Sequence, residues 1–150
     1  MNQNMHDQKW SRVIGSEVKG KNILIVGFGR IGKKVAHILS TFEANILIVD
    51  PYISIKDVPK EFELMHLDHA LSIADVTTIH VSGENCLIGN NQFSKMKKGS
   101  IVCNASRGGV ISESDLIRAV NKGIISAAWV DAFVDEPYYG EMSKFNEIIL

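Results

Sequence analysis

The sequence predicts an α/β protein built on a doubly wound, parallel sheet of six or seven strands, with helices on both faces in three α/β/α layers. Three observations carry that expectation. The runs Asn22 to Gly27 (NILIVG) and Asn45 to Asp50 (NILIVD) lack the alternation of a half-exposed strand and read as strands covered on both sides. Between them, Ile31, Val35, Ile38, Leu39 and Phe42 fall on one face of a helix of about three turns. At their junction stands Gly27-Phe28-Gly29-Arg30-Ile31-Gly32, a G-x-G-x-x-G placed where strand hands over to helix.

The remaining elements follow in order. Pro51 stops the second strand by removing a backbone donor. Phe62 to Met65 reads as a short strand, Leu67 to Ala74 as a short helix, and residues 75 to 81 (DVTTIHV) as a strand. Ser100 to Asn104 is a strand after a Lys-Lys-Gly turn, and Ser112 with Asp115 predicts a capping box for a helix through Val120. Gly123 is the expected left-handed stop, Ile124 to Asp131 the next strand, and Glu147 to Leu150 the start of another.

With 150 residues, 45% hydrophobic, and no linker or repeat, one domain is expected. Sixteen Lys and Arg against 17 Asp and Glu leave a net charge of -1, so no basic field favours nucleic acid. No apolar run approaches the ~20 residues that cross a bilayer, and no secretion signal is read at the N-terminus. Cys86 and Cys103 form no Cys-x-x-Cys pair, which argues against disulfides and thiolate metal sites and fits the cytoplasm. His66 and His69, with Asp68 between, read as surface, and no metal site is expected.

The glycine motif makes a Rossmann-type dinucleotide site the leading reading. Gly27 permits the tight turn, Gly29 leaves room for a pyrophosphate, Gly32 lets helix and strand approach, and the amides of Arg30 and Ile31 point at phosphate. Asp50, 18 residues beyond Gly32, is placed to accept both adenosine ribose hydroxyls, which favours NAD over NADP; the alternative is a turn-initiating Asp before Pro. Arg107, Asp131 and Glu136 lie in loops after later strands and so converge on the same crevice. Arg107 is there either a carboxylate clamp or a loop ion pair, and Glu136 either a functional acid or a turn acid.

Trp10, Lys19-Gly20-Lys21, GFGRIG, Asp50, IHV at 79 to 81, KMKKGS at 95 to 100, NASRGG at 104 to 109 and VDAFVDEP at 130 to 137 together resemble the NAD-dependent D-isomer 2-hydroxyacid dehydrogenases, a family that includes D-3-phosphoglycerate dehydrogenase. The resemblance implies that Arg107 binds the substrate carboxylate and carbonyl and that Glu136 orients a proton-transferring histidine. It also implies that Asp131 bonds the nicotinamide carboxamide, that Ala105 and Ser106 line the nicotinamide ribose, and that His80 stands beside the cofactor; a packed strand histidine is the alternative for His80. The loop Ser82 to Asn85 lacks the family's Pro-Leu-Thr, and Trp129 stands where a small residue is usual. By the same resemblance, residues 1–18 are a connecting helix from a substrate domain, the chain ends before the T-P-H that supplies the histidine, and homodimers form with help from the segment before Trp10. The expected function is the NAD(H)-binding domain of an oxidoreductase for a D-2-hydroxy or 2-keto acid, inactive alone. The alternatives are a non-catalytic NAD(H)-sensing module, which has no need of Arg107 and Glu136, and an S-adenosylmethionine enzyme, against which the glycine spacing argues.

Overall fold

A computed structural model describes residues 15–150. Seven strands form one sheet in the order β3-β2-β1-β4-β5-β6-β7. They are β1 (Asn22–Val26), β2 (Asn45–Val49), β3 (Glu63–Leu64), β4 (Val76–Ile79), β5 (Ser100–Asn104), β6 (Ile125–Val130) and β7 (Ile148–Ile149), and every neighbouring pair is parallel. The α-helices are α1 (Arg30–Thr41), α2 (Leu67–Ile73), α3 (Asn90–Lys95) and α4 (Glu113–Asn121). The chain runs outward from β1 to β3 and then returns to lay β4 on the other side of β1. The strand order therefore reverses between β1 and β4, where a doubly wound sheet opens its ligand crevice.

The two faces of the sheet are filled unequally. Leu24, Val26, Leu47, Ile79, Val102 and Ile125 pack into one buried cluster with Leu71 of α2, Phe93 of α3 and Leu116 of α4. On the opposite face, Ile23, Ile25, Ile46 and Ile48 pack with Ala36 of α1 and with Phe28, Val58 and Phe62. Toward β7 that second face carries Ile101, Trp129 and Ile149, which are 37%, 39% and 63% exposed. Trp129 thus fits where a small residue is usual because no helix of the described chain presses on it.

Several expectations need correction. Helix α1 does not bury the whole face Ile31, Val35, Ile38, Leu39, Phe42. Its buried residues are Gly32 and Ala36, Val35 and Leu39 pack against the core partially, and Ile31, Ile38 and Phe42 stay 63%, 59% and 59% exposed. The close approach of Gly32 to β1 rotates the helix so that its small residues contact the sheet. Residues 15–18 carry no helix, since Lys21 N–H bonds Val18 O and Gly20, at φ 70°, bonds Glu43 O, which makes a turn into β1. The rest of that expected connecting helix, with Trp10 and the segment before it, lies outside the described residues.

The Ser112–Asp115 capping box does not form. Ser112 is the N-cap of α4 without a side-chain cap bond, and Asp115 instead accepts the Asn90 N–H at 3.0 Å and pairs with Arg118. A carboxylate that can satisfy an orphan amide of α3 and a guanidinium one turn ahead gains more than it would from its own N-cap amide. Helix α3 was not anticipated. It is short, has Gly89 as its N-cap, and is capped when Gly89 N–H donates to Gln92 Oε1. Gly123 does stop the following helix, at φ 65°.

Candidate functional site

Because all strands are parallel, Gly27, Asp50, His80, Ala105 and Asp131 each follow a carboxyl end on one edge of the sheet. Main-chain bonds stitch that edge together: Gly27 N–H to Val49 O at 2.8 Å, His80 N–H to Val26 O at 2.7 Å, and Asp131 N–H to Asn104 O at 3.0 Å.

The glycine turn is held from every side. Gly27 sits at φ 92°, and a Cβ there would lie 2.8 Å from His80 O, so the backbone and its neighbour both demand glycine. A Cβ on Gly32 would fall 1.9 Å from Gly27 O. Phe28 is 2% exposed, sets its ring edge-on to Phe62 with centroids 6.3 Å apart, and has Lys33 Nζ 5.6 Å from its own centroid. Its N–H donates to Asp50 Oδ2 at 2.8 Å, while Asp50 Oδ1 accepts the Tyr52 N–H at 2.9 Å. Gly29, by contrast, is exposed, and a Cβ there meets nothing within 4 Å.

At the start of α1 the Lys33 N–H bonds Gly29 O at 3.0 Å, which leaves the amides of Arg30, Ile31 and Gly32 without a carbonyl inside the helix. An open glycine, free helix amides and a nearby carboxylate form a cradle that fits a ribose-linked diphosphate. By accepting the Tyr52 N–H, Asp50 also does what a turn-initiating Asp does.

His80 places Nε2 3.0 Å from Thr78 Oγ1, and its buried Nδ1 finds no partner among the described residues. Burial pushes its pKa below the ordinary histidine value and keeps it neutral at pH 7. Its ring packs at the strand end, and its carbonyl lies against the Gly27 turn.

On the β5 side, Asn104 is fully buried and clasps the loop it begins. Its Oδ1 accepts the Ser106 N–H at 3.1 Å and the Ser106 hydroxyl at 2.7 Å, and its Nδ2 donates to Arg107 O at 2.9 Å. The main chain of Ala105, Ser106 and Arg107 is thereby set. The Arg107 side chain is exposed, donates from Nη1 to Ser106 O at 3.0 Å, and forms no ion pair among the described residues. A Cβ on Gly108 would lie 2.1 Å from the carbonyl carbon of Phe133, so the Arg107 loop presses directly on the loop that carries Glu136.

Glu136 is exposed and accepts the Phe133 N–H at 3.4 Å, closing its own turn. Behind it Phe133 stacks on Tyr138 at 4.3 Å, and the Tyr138 hydroxyl donates to Glu113 and accepts the Met142 N–H. Asp131 is exposed on the same edge. Among the described residues, no group of three or more His, Cys, Asp and Glu side chains is placed to hold a metal, His66 and His69 are exposed, and both cysteines are free. No helix among them is long and apolar enough to cross a membrane.

Two residues that build the site escaped the sequence reading. Asn104 had a signal, since an Asn at a strand end followed two residues later by Ser is an Asx-turn pattern. Phe28 had only its size, a large aromatic inside a glycine loop, and the partner that buries it is far away in sequence.

The switch-point crevice, the glycine turn on a helix N-terminus and the acid after β2 define a dinucleotide-binding domain. The profile of the "D-isomer specific 2-hydroxyacid dehydrogenase, NAD binding domain" family matches residues 1–150, and the chain belongs to that family. It is 39% identical over 136 residues to a D-3-phosphoglycerate dehydrogenase of Archaeoglobus fulgidus, covering 86% of this chain and 26% of the relative. It is 35% identical over 140 residues to the human D-3-phosphoglycerate dehydrogenase, covering 89% of this chain and 26% of that protein. Among solved structures, D-lactate dehydrogenase with NAD+ from Lactobacillus jensenii superposes with a TM-score of 0.86 at 26% identity, over 99% of this chain and 51% of the other. The chain thus spans about a quarter of the length of the curated relatives it matches.

Proposed function

We propose that this NAD-binding domain serves an oxidoreductase that acts on the CH–OH group of a D-2-hydroxy acid, of the phosphoglycerate dehydrogenase kind, and that it prefers NAD to NADP. The single observation that supports this most is the shared edge: the glycine turn tied to Asp50, and the Arg107 loop pressed on the Glu136 loop, both open on one crevice.

In this reading Gly27, Gly29 and Gly32 shape the turn, the amides of Arg30 and Ile31 hold the diphosphate, and Asp50 accepts the adenosine ribose hydroxyls, where a 2′-phosphate would meet its charge. His80, Ala105, Ser106 and Asp131 flank the nicotinamide end. The bound nicotinamide supplies hydride exchange. The exposed Arg107 guanidinium grips the substrate carboxylate in paired hydrogen bonds and polarises its carbonyl, and Glu136 leaves its own turn to orient a histidine that moves the proton. That histidine, and the substrate-closing surface, belong in this proposal to a substrate domain outside these residues. The free cysteines support a reducing, cytoplasmic setting, and the exposed Ile31, Ile38 and Phe42 support pairing of two copies, which light scattering tests.

Calorimetry with NAD and NADP tests the cofactor choice. NAD binds more tightly, and Asp50→Ala weakens it by about ten- to 150-fold, the loss of ~1.5 to 3 kcal/mol of charged hydrogen bonding, while narrowing the gap to NADP. Equal or tighter NADP binding by the unaltered chain overturns the preference. A non-catalytic sensor is distinguished by Arg107→Ala in the full-length protein, which abolishes turnover of 2-keto acids only if the proposed clamp is used.

A further inference from the structure

Asp50 does more in this fold than face a ribose. Two consecutive amides of the glycine turn are held by the end of β2, Gly27 N–H by Val49 O and Phe28 N–H by Asp50 Oδ2. The first bond is main chain to main chain and does not depend on the side chain at position 50. The second depends on one side chain, and the residue it holds is buried, so without it a donor would be left unpaired against the core.

Resting on the reading of this crevice as a dinucleotide site, we propose that Asp50 is a positioning residue for the diphosphate. By accepting the Phe28 N–H it holds the Gly27–Gly29 turn where the Arg30 and Ile31 amides converge on phosphate. Phe28 transmits this constraint because its ring is locked against Phe62 and its peptide leads directly into Gly29. When the tie is absent, the Phe28 peptide turns to find another acceptor and carries Gly29 with it, and the cradle must be re-ordered on binding.

The positioning role and the ribose role predict effects of opposite sign on a ligand that has a diphosphate and no ribose hydroxyls. A carboxylate near a diphosphate repels it, so if Asp50 acted only on the ribose its removal would leave such a ligand unaffected or improve it. If Asp50 positions the turn, removal weakens the ligand. The probe is 2′,3′-dideoxy-ADP, compared with ADP by calorimetry on the unaltered chain, Asp50→Ala and Asp50→Asn.

Asp50→Ala is expected to weaken dideoxy-ADP by about tenfold, whereas Asp50→Asn, whose Oδ1 still accepts the Phe28 N–H, stays within about twofold. Dideoxy-ADP binding that is unchanged or tighter in Asp50→Ala, or weakened equally in both variants, overturns the proposal. A second measurement reads the tie directly: hydrogen exchange of the Phe28 amide is slow in the unaltered chain and in Asp50→Asn and faster in Asp50→Ala, and equal exchange in all three overturns the tie. If NAD binds and dideoxy-ADP ignores Asp50, only this proposal fails; if the unaltered chain binds neither NAD nor ADP, the dinucleotide reading fails with it.

Discussion

The two ends of the crevice are built to different degrees. At the nucleotide end, Gly27, Phe28 and Gly32 are buried, and their positions follow from contacts to β2, β4 and the core. At the proposed substrate end the main chain is as firmly set, through the Asn104 clasp and the Gly108–Phe133 contact, but the side chains of Arg107, Asp131 and Glu136 are exposed, and those of Arg107 and Glu136 bond only to their own loops. The difference is one of division of labour. On the proposed function, phosphate would be held by backbone amides, which a fold can fix in advance, whereas a carbonyl substrate would be handled by long charged side chains that acquire a geometry when something closes over them.

The largest effect that would break this contrast is steric. Gly32→Ala drives a Cβ into Gly27 O and should cost about 3 kcal/mol or more, read as a lowered urea midpoint, because helix and turn must separate. Gly29→Ala meets nothing within 4 Å and should cost about 1 kcal/mol or less, yet abolish NAD binding if, as proposed, the room it fills is the pyrophosphate's. Equal damage to stability from both would mean that the turn is not an open cradle.

Next in size is Asn104→Ala, which removes three hydrogen bonds from a buried amide and should destabilise the chain by about 2 to 3 kcal/mol. If stability were untouched, the substrate-side main chain would be no more prearranged than its side chains. A smaller, pH-dependent effect belongs to His80. Burial lowers its folded pKa, so its neutral form contributes fully above the unfolded value of 6.5 and that contribution is lost as pH falls through the folded value. Urea midpoints should therefore drop between pH 7.5 and 5.5, and His80→Gln should flatten the slope.

The smallest effects on stability are expected where function is expected to be greatest. Arg107→Ala and Glu136→Gln should each change the unfolding free energy by only about 0.5 kcal/mol, because both side chains are exposed. A loss of several kcal/mol in either would show a structural role and erase the difference between the two ends.

The local pattern of residues was enough for the strands and the glycine turn. The ILIV core of both NILIVG and NILIVD is uniformly apolar, G-x-G-x-x-G has a steric reason for each glycine, and the parallel sheet follows from alternating strands and helices, so Gly27, Asp50, Asn104 and Asp131 share an edge as expected. Sequence proximity carried the Arg107 loop as far as its position but not its contacts.

What required the folded chain was every decision made between distant residues. Periodicity placed Ile31, Ile38 and Phe42 on one helical face with Val35 and Leu39, but helix rotation is set by how close Gly32 and Ala36 can come to β1, and that contact leaves the three outside. Asp115 looked like a cap for its own helix until α3 arrived with an orphan amide. Phe28 and Asp50 are 22 residues apart, and only the parallel register of β1 and β2 brings an amide and a carboxylate to 2.8 Å. Local chemistry states what a residue can bond, and tertiary packing chooses among its partners, because those choices depend on distances that no short stretch of chain contains.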